Sequence, residues 1–207
     1  MSGRDTESMV NGDAMITHLV LYIYLAMPLR PKIERRLDAL DRKTLELFQY
    51  LNRVPPELLT QKPKPGYWNA LEALNHIYLG EKASMQYVCH KLTKSETIPV
   101  KGPDAWFRSL LLKWVLYSPL KFKSPPHIDM SNNQTVLGLG QLKQGWKDLR
   151  QELRKLLAGH EEGLTHKLTY KHPYAGRITL LQMLIFFEDH LTHHTRQIRR
   201  ILGQVTT

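Results

Sequence analysis

The chain has 207 residues, of which 42% are hydrophobic and 23% are charged, and its formal net charge is +10. These proportions are typical of a globular protein, and the length suits one domain with a substantial core. The single cysteine, Cys89, excludes an internal disulfide framework and a zinc ribbon, and it favours a reducing compartment, so we expect a cytoplasmic protein.

The positive charge is spread along the chain instead of forming one basic block. Neighbouring Lys and Arg residues recur at 35–36, 62–64, 121–123, 154–155 and 199–200. No nucleic-acid-binding motif accompanies them. We therefore interpret the charge as a solvated basic surface and expect no nucleic-acid partner, with nucleic-acid binding as the weaker alternative.

Residues 1–27 differ from the rest of the sequence. A polar, acidic start is followed by an apolar run over residues 14–27, which is too short for an ordinary transmembrane helix. The start carries Asp5, Glu7 and Asp13 against Arg4, whereas a secretory signal begins with positive charge. We interpret residues 1–27 as an extension outside a helical domain at 28–204, expect no membrane partner, and keep a secretion signal as the alternative.

The first two long helices are predicted at residues 32–53 and 69–92. Apolar residues at three- and four-residue steps mark the first helix, and the prolines after Val54 end it. Asn69 and Glu72 stand at the spacing of a capping box at the start of the second helix. This pattern gives Glu72 a structural role, so we assign it no catalytic one.

The remaining long helices are predicted at residues 135–157 and 179–202. Thr179 and Gln182 form another capping-box pattern, and Gly203 follows the last helix. Residues 95–134 form a long connection with a short helical pattern at 104–117. Such a connection suits a bundle whose neighbouring helices are not sequential. The sequence therefore predicts an all-α protein, a four-helix bundle with a long, partly helical crossover.

Three histidines on two of these helices are candidate metal ligands. His190 and His194 are four residues apart, so they share one helix face, and His76 on the second helix could complete a three-histidine site. Such a site leaves coordination positions open, as catalytic metal sites do. The alternative is that each imidazole forms only a local hydrogen bond. His193 competes with His194, because a three-residue step also shares a face.

Two segments of the chain resemble signatures of the DinB/YfiT-like superfamily. The first has Trp68, a polar residue, Glu72 and then His76. The second is the segment 172–179, followed by the apolar helix with His190 and His194. Residues 123–126 between them are similar to the middle linker of the family. Together these segments cover roughly residues 30–203 in the expected order, and the four-residue spacing of the family pattern favours His194 over His193.

The resemblance implies a four-helix bundle that holds a divalent metal through His76, His190 and His194. Zinc is the first candidate and nickel the next. Relatives include thiol S-transferases and isomerases that use a low-molecular-weight thiol, and others are described as metal-dependent hydrolases.

We therefore expect a metal-dependent transferase or hydrolase that activates a thiol or water on a small molecule. The alternative is a non-catalytic metal- and ligand-binding module of the same fold. A homodimer is compatible with either function. No general acid or base is identified, and His172 and Tyr174 receive no catalytic role. Arg177 could hold an anionic group or be solvated, and Gly176 is interpreted as a turn residue.

Overall fold

The computed structural model describes residues 29–93, 107, 108, 110, 130, 135–158 and 167–205, and it is mostly helical. The predicted all-α fold with four long helices is confirmed. The extension at residues 1–27 and most of the crossover lie outside the described residues. In chain order the elements are α1 (Leu29–Leu51), α2 (Pro56–Thr60), α3 (Ala70–Thr93), α4 (Leu139–Ala158), β1 (Tyr170–His172), β2 (Gly176–Ile178) and α5 (Leu180–Val205).

The long helices form a bundle in which α1 and α3 each pack against both α4 and α5. Arg36 of α1 pairs with Glu188 of α5, and Tyr50, further along α1, lies beneath Arg199, further along α5. Helices α1 and α5 are therefore parallel. Helices α3 and α4 are also parallel, since their contacts advance from Asn75 with Leu137 to Cys89 with Glu152. A chain joining two parallel helices must return along the whole bundle, which explains the length of the crossover.

Helices α1 and α4 run in opposite directions. Phe48, near the end of α1, packs against Trp146 in the first half of α4, whereas Glu34, near the start of α1, pairs with Arg154 further along α4. The long helices therefore run up, down, down and up in chain order.

Both predicted capping boxes are present. Asn69 Oδ1 accepts the backbone N–H of Glu72 at 2.7 Å, and a Glu72 carboxylate oxygen accepts the backbone N–H of Asn69 at 2.8 Å. At α5, Gln182 Oε1 accepts the backbone N–H of Thr179 at 2.9 Å, and Thr179 Oγ1 accepts that of Gln182 at 3.3 Å. These reciprocal bonds satisfy N–H groups that have no partner within the helix, and they fix where α3 and α5 begin.

Three predicted helix ends are wrong by three or four residues: the start of α1, which lies at Leu29 instead of residue 32, the start of α4 and the end of α5. Helix α4 begins at Leu139 instead of residue 135, because Asn75 holds the backbone of Leu137 outside the helix: it accepts from the N–H at 2.8 Å and donates to the C=O at 3.0 Å. Helix α5 continues past Gly203 to Val205. Burial of Ile201 and Leu202 holds the last turn in place, and this outweighs the weak helix propensity of glycine.

A small antiparallel hairpin before α5 was not predicted. Strands β1 and β2 pair Tyr170 with Ile178 and His172 with Gly176, and three-residue strands are too short to show an alternating pattern. Gly176 has a φ of +71°, which confirms its interpretation as a turn residue. The hairpin contacts α3 and brings His172 to the side of the bundle.

None of the helices within the described residues has an apolar stretch long enough to cross a bilayer.

Candidate metal centre

The structure brings the three histidines predicted as ligands into one group between α3 and α5. The ligand atoms of His76, His190 and His194 all lie within 4.8 Å of one another. Their ring centroids are 4.5–5.3 Å apart. His76 and His194 are buried, and His190 keeps part of its surface exposed although its imidazole is desolvated. Within the described residues, this is the group of side chains that could hold a metal ion.

Helix geometry produces this convergence. His190 and His194 lie one turn apart on the face of α5 that packs against α3, beside the buried stripe of Phe187, Leu191 and Ile198. His76 lies in the first half of α3, six residues after the start fixed by the Asn69–Glu72 capping box. The caps and the apolar stripes therefore set the rotation of each helix and the direction of the imidazoles.

Gln197 determines the tautomer of His194. Its Oε1 lies 2.6 Å from Nδ1 of His194. Because an amide oxygen can only accept, this contact places the imidazole proton on Nδ1 and leaves a lone pair on Nε2. That Nε2 lies 3.0 Å from Nε2 of His190. Two such nitrogens either share a proton or turn both lone pairs towards a cation, and the second arrangement is that of a metal site.

The lowered pKa values of His190 and His194 also favour a metal ion, because they keep protons off the two imidazole rings. Burial, and then the neighbouring imidazoles of His194 and His76, hold the pKa of His190 well below its ordinary value. Burial lowers the pKa of His194 to about 3. Both imidazoles are therefore neutral near pH 7, which is the state that binds a metal.

Aromatic side chains flank two of the three histidines, His76 and His190. Trp68 lies against His76 with ring centroids 5.0 Å apart, which places the tryptophan of the first signature at the site itself. Phe186, one turn before His190, stacks on it with an interplanar angle of 19°. Sequence reasoning missed Phe186, although its position four residues before a candidate ligand is a usable signal. These rings make the surroundings apolar.

Other polar residues near the histidines in sequence act elsewhere. Glu81 pairs with Arg150 of α4 at 2.6 Å and accepts the indole N–H of Trp146 at 3.1 Å. Glu188 pairs with Arg36 and Lys43 of α1. Both carboxylates therefore join helices and neither belongs to the histidine group. His193 is partly buried beside His194, with ring centroids 5.0 Å apart, but it is not part of the group either.

His172 lies close to the group, although no role was predicted for it. It is buried on β1, and its ring meets Phe186 at a centroid distance of 4.5 Å. Its Nδ1 accepts the backbone N–H groups of Tyr174 and Ala175 in the hairpin turn.

Comparison with known proteins supplies the family. No curated protein and no solved structure gives a significant match to the chain. A sequence model described as the DinB superfamily matches residues 39–198, a span that includes His76, His190 and His194. This superfamily is generally a metal-binding fold, in agreement with the buried histidine group and the helical bundle described above. The chain therefore belongs to the DinB superfamily.

Proposed function

We propose that the protein is a divalent-metal-dependent enzyme whose metal is held by His76, His190 and His194. The observation that carries this proposal is the convergence of three imidazoles from two helices at the mutual distances given above. The neutral state of His190 and His194 and the hydrogen bond from His194 to Gln197 support it. Zinc is the first candidate and nickel the second, because both accept imidazole ligands.

The reaction we propose is transfer of a thiol to an electrophilic small molecule, with hydrolysis as the close alternative. A divalent ion on three histidines lowers the pKa of a bound thiol or water, so that either becomes a nucleophile near neutral pH. Amide hydrolysis also needs a group that protonates the leaving amine. The described carboxylates Glu72, Glu81 and Glu188 are each engaged in a cap or an ion pair. Addition of a thiol to an electrophile depends less on a proton donor than amide hydrolysis does.

The same observation supports a second candidate, a module that binds a metal and a small ligand without turnover. The three-histidine group is sufficient to bind a metal and a ligand, and no acid or base in the described part of the chain is assigned to it. In either case the proposed partner is a small molecule, because the group lies between two packed helices and beneath aromatic rings.

Metal content tests the assignment directly. We expect His190→Ala to abolish stoichiometric zinc or nickel binding while circular dichroism still shows the helical bundle. His193→Ala is the matched control, since it removes a neighbouring imidazole outside the group, and it should keep the metal. Unchanged metal content in the His190→Ala protein would reject the proposed site.

Turnover distinguishes the candidate functions. The zinc-loaded protein is incubated with glutathione, bacillithiol or mycothiol and a model electrophile, and in parallel with esters and amides. Thiol consumption that stops in His76→Ala supports transfer. Turnover of esters or amides alone would replace it with hydrolysis. A metal-loaded protein that turns over none of these compounds would favour the binding module.

A further inference from the structure

His172 is a buried polar residue that the proposed metal site does not use. It retains 5% exposure and lies on β1, where the hairpin packs against the bundle. Its Nδ1 accepts two backbone N–H groups, from Tyr174 at 3.2 Å and from Ala175 at 3.3 Å. A nitrogen that accepts hydrogen bonds carries no proton, so the proton of this neutral imidazole is on Nε2.

The Nε2–H of His172 is an available donor. No group in the described part of the chain accepts a hydrogen bond from it, although nearly the whole residue is buried. Within the described residues, Nε2 is not one of the fully buried side-chain atoms that lack a partner, so this edge of the ring is the part of His172 that a small molecule can reach. The hydrogen bonds in the turn account for Nδ1 of His172, but no hydrogen bond within the described residues accounts for Nε2.

The position of the ring relates this donor to the metal site. His172 meets Phe186 at 4.5 Å with an interplanar angle of 73°, and Phe186 stacks on His190 at 5.3 Å. Phe186 therefore contacts both imidazoles. One apolar ring thus connects the donor with the histidine group, although His172 comes from the hairpin and Phe186 from α5.

We propose that His172 is a specificity-determining residue, whose Nε2–H donates a hydrogen bond to an acceptor oxygen of the substrate. The substrate class is a small molecule with a metal-binding atom at one end, an apolar middle that packs on Phe186, and a carbonyl or similar oxygen beyond it. This inference rests on the proposed metal-dependent function, because the histidine group must hold the other end of the molecule.

The test compares two thiol probes on the zinc-loaded full chain by isothermal titration calorimetry. Para-mercaptoacetophenone has a thiol, a ring and a carbonyl oxygen, and para-methylbenzenethiol lacks the oxygen. The quantity measured is the ratio of the two dissociation constants. The difference in acidity between the thiols is common to every protein variant, so it cancels when ratios are compared.

Two substitutions separate the two nitrogens of His172. His172→Asn places an amide near the position of Nδ1, so it can serve the turn but offers no donor at Nε2. His172→Gln reaches the position of Nε2 and keeps a donor there. We expect His172→Asn to bind zinc normally and to lose the preference for the carbonyl probe by about fivefold to tenfold, the effect of one hydrogen bond. His172→Gln should keep most of the preference.

Three results would overturn the inference. They are an unchanged preference in His172→Asn, an equal loss in both variants, and a loss of zinc binding in His172→Asn, which would make His172 a structural residue. A wild-type chain that binds no zinc would instead reject the proposed function. If zinc binds, and His190→Ala abolishes binding, while the probe ratio is independent of His172, only the specificity inference fails.

Discussion

Gln197 orients the imidazole of His194, one of the proposed metal ligands. It accepts the Nδ1 proton of His194 at 2.6 Å, and this keeps the Nε2 lone pair directed towards His190. Groups that orient a ligand histidine in this way usually contribute strongly to metal affinity, although they do not touch the metal.

Replacing Gln197 by Leu should therefore weaken zinc binding by about tenfold to a hundredfold, because His194 loses the partner that fixes its tautomer. Gln197→Glu retains an acceptor and should retain the affinity. Arg196→Ala changes an exposed neighbour on the same helix and is the control. Competition titration with a chromophoric chelator measures these affinities, and equal values for Gln197→Leu and wild type would contradict the assigned role.

The burial of His172 predicts a loss of stability in acid. Burial lowers its pKa from 6.5 to about 4, so the unfolded chain binds this proton more readily than the folded chain. The stability associated with a neutral His172 is present above pH 6.5 and is lost as the pH falls towards 4. Between pH 7 and pH 5 this one group should cost about 2 kcal/mol of the free energy of unfolding.

Urea denaturation of the metal-free protein at pH 7 and pH 5 measures this effect. His172→Asn has no imidazole to titrate, so its stability should decrease by about 2 kcal/mol less over the same interval. His190 and His194 remain in both proteins, so most of their own acid sensitivity cancels in the comparison, because His172 is the smallest of the influences that lower the pKa of His190. Identical pH dependence of the two proteins would exclude His172 as a source of acid instability.

At the scale of the elements, the close packing of α3 on α4 depends on Gly145. A Cβ at this position would lie 2.5 Å from the hydroxyl oxygen of Tyr78 and 2.8 Å from its ring. Tyr78 cannot move aside easily, because it is buried and packs against Trp146 with ring centroids 5.4 Å apart. Glycine is therefore required at this position by the space available, and its backbone conformation is ordinary for a helix.

Gly145→Ala should destabilise the protein by about 1–3 kcal/mol, the usual cost of inserting an extra carbon atom into a packed core. Gly140→Ala is the matched control in the same helix, since a Cβ there meets nothing within 4 Å. This control should be neutral or stabilising by up to about 1 kcal/mol, because alanine favours helix. Thermal denaturation followed by circular dichroism compares the two, and equal stabilities would show that Tyr78 repacks without cost.

At the scale of the whole molecule, the proposed metal would join the two halves of the chain. His76 lies on α3, and His190 and His194 lie on α5, more than a hundred residues further along the sequence. Helix α5 is held independently on its other side, where Glu188 pairs with Arg36 and Lys43 of α1. The bundle therefore has contacts that keep it folded without the metal, and metal binding should add to them.

Zinc at a hundred times its dissociation constant should stabilise the folded protein by about 2.7 kcal/mol, because it binds the folded chain alone. For a chain of this size the melting temperature should rise by roughly 5 to 10 °C. Differential scanning calorimetry with and without zinc measures the shift. His190→Ala should show no shift and His193→Ala should show the full one. A shift that survives in His190→Ala would place the stabilising metal elsewhere.

The sequence by itself determined the features that depend on short-range interactions. The four long helices follow from apolar residues that recur at intervals of three and four residues. The starts of α3 and α5 follow from hydrogen bonds between residues three apart. The proximity of His190 and His194 follows from the same helical repeat. Each of these features needs only a few consecutive residues, so it can be read without knowledge of the fold.

Only the tertiary structure decided how these elements meet. The approach of His76 to His194, the displacement of the start of α4 by Asn75, and the placement of His172 beside Phe186 join residues that are distant in the sequence. The pairing of Glu81 with Arg150 is of the same kind. Such contacts depend on which helix faces pack together and on the direction of each helix. Helical periodicity predicts an apolar face, but it does not determine which partner that face contacts.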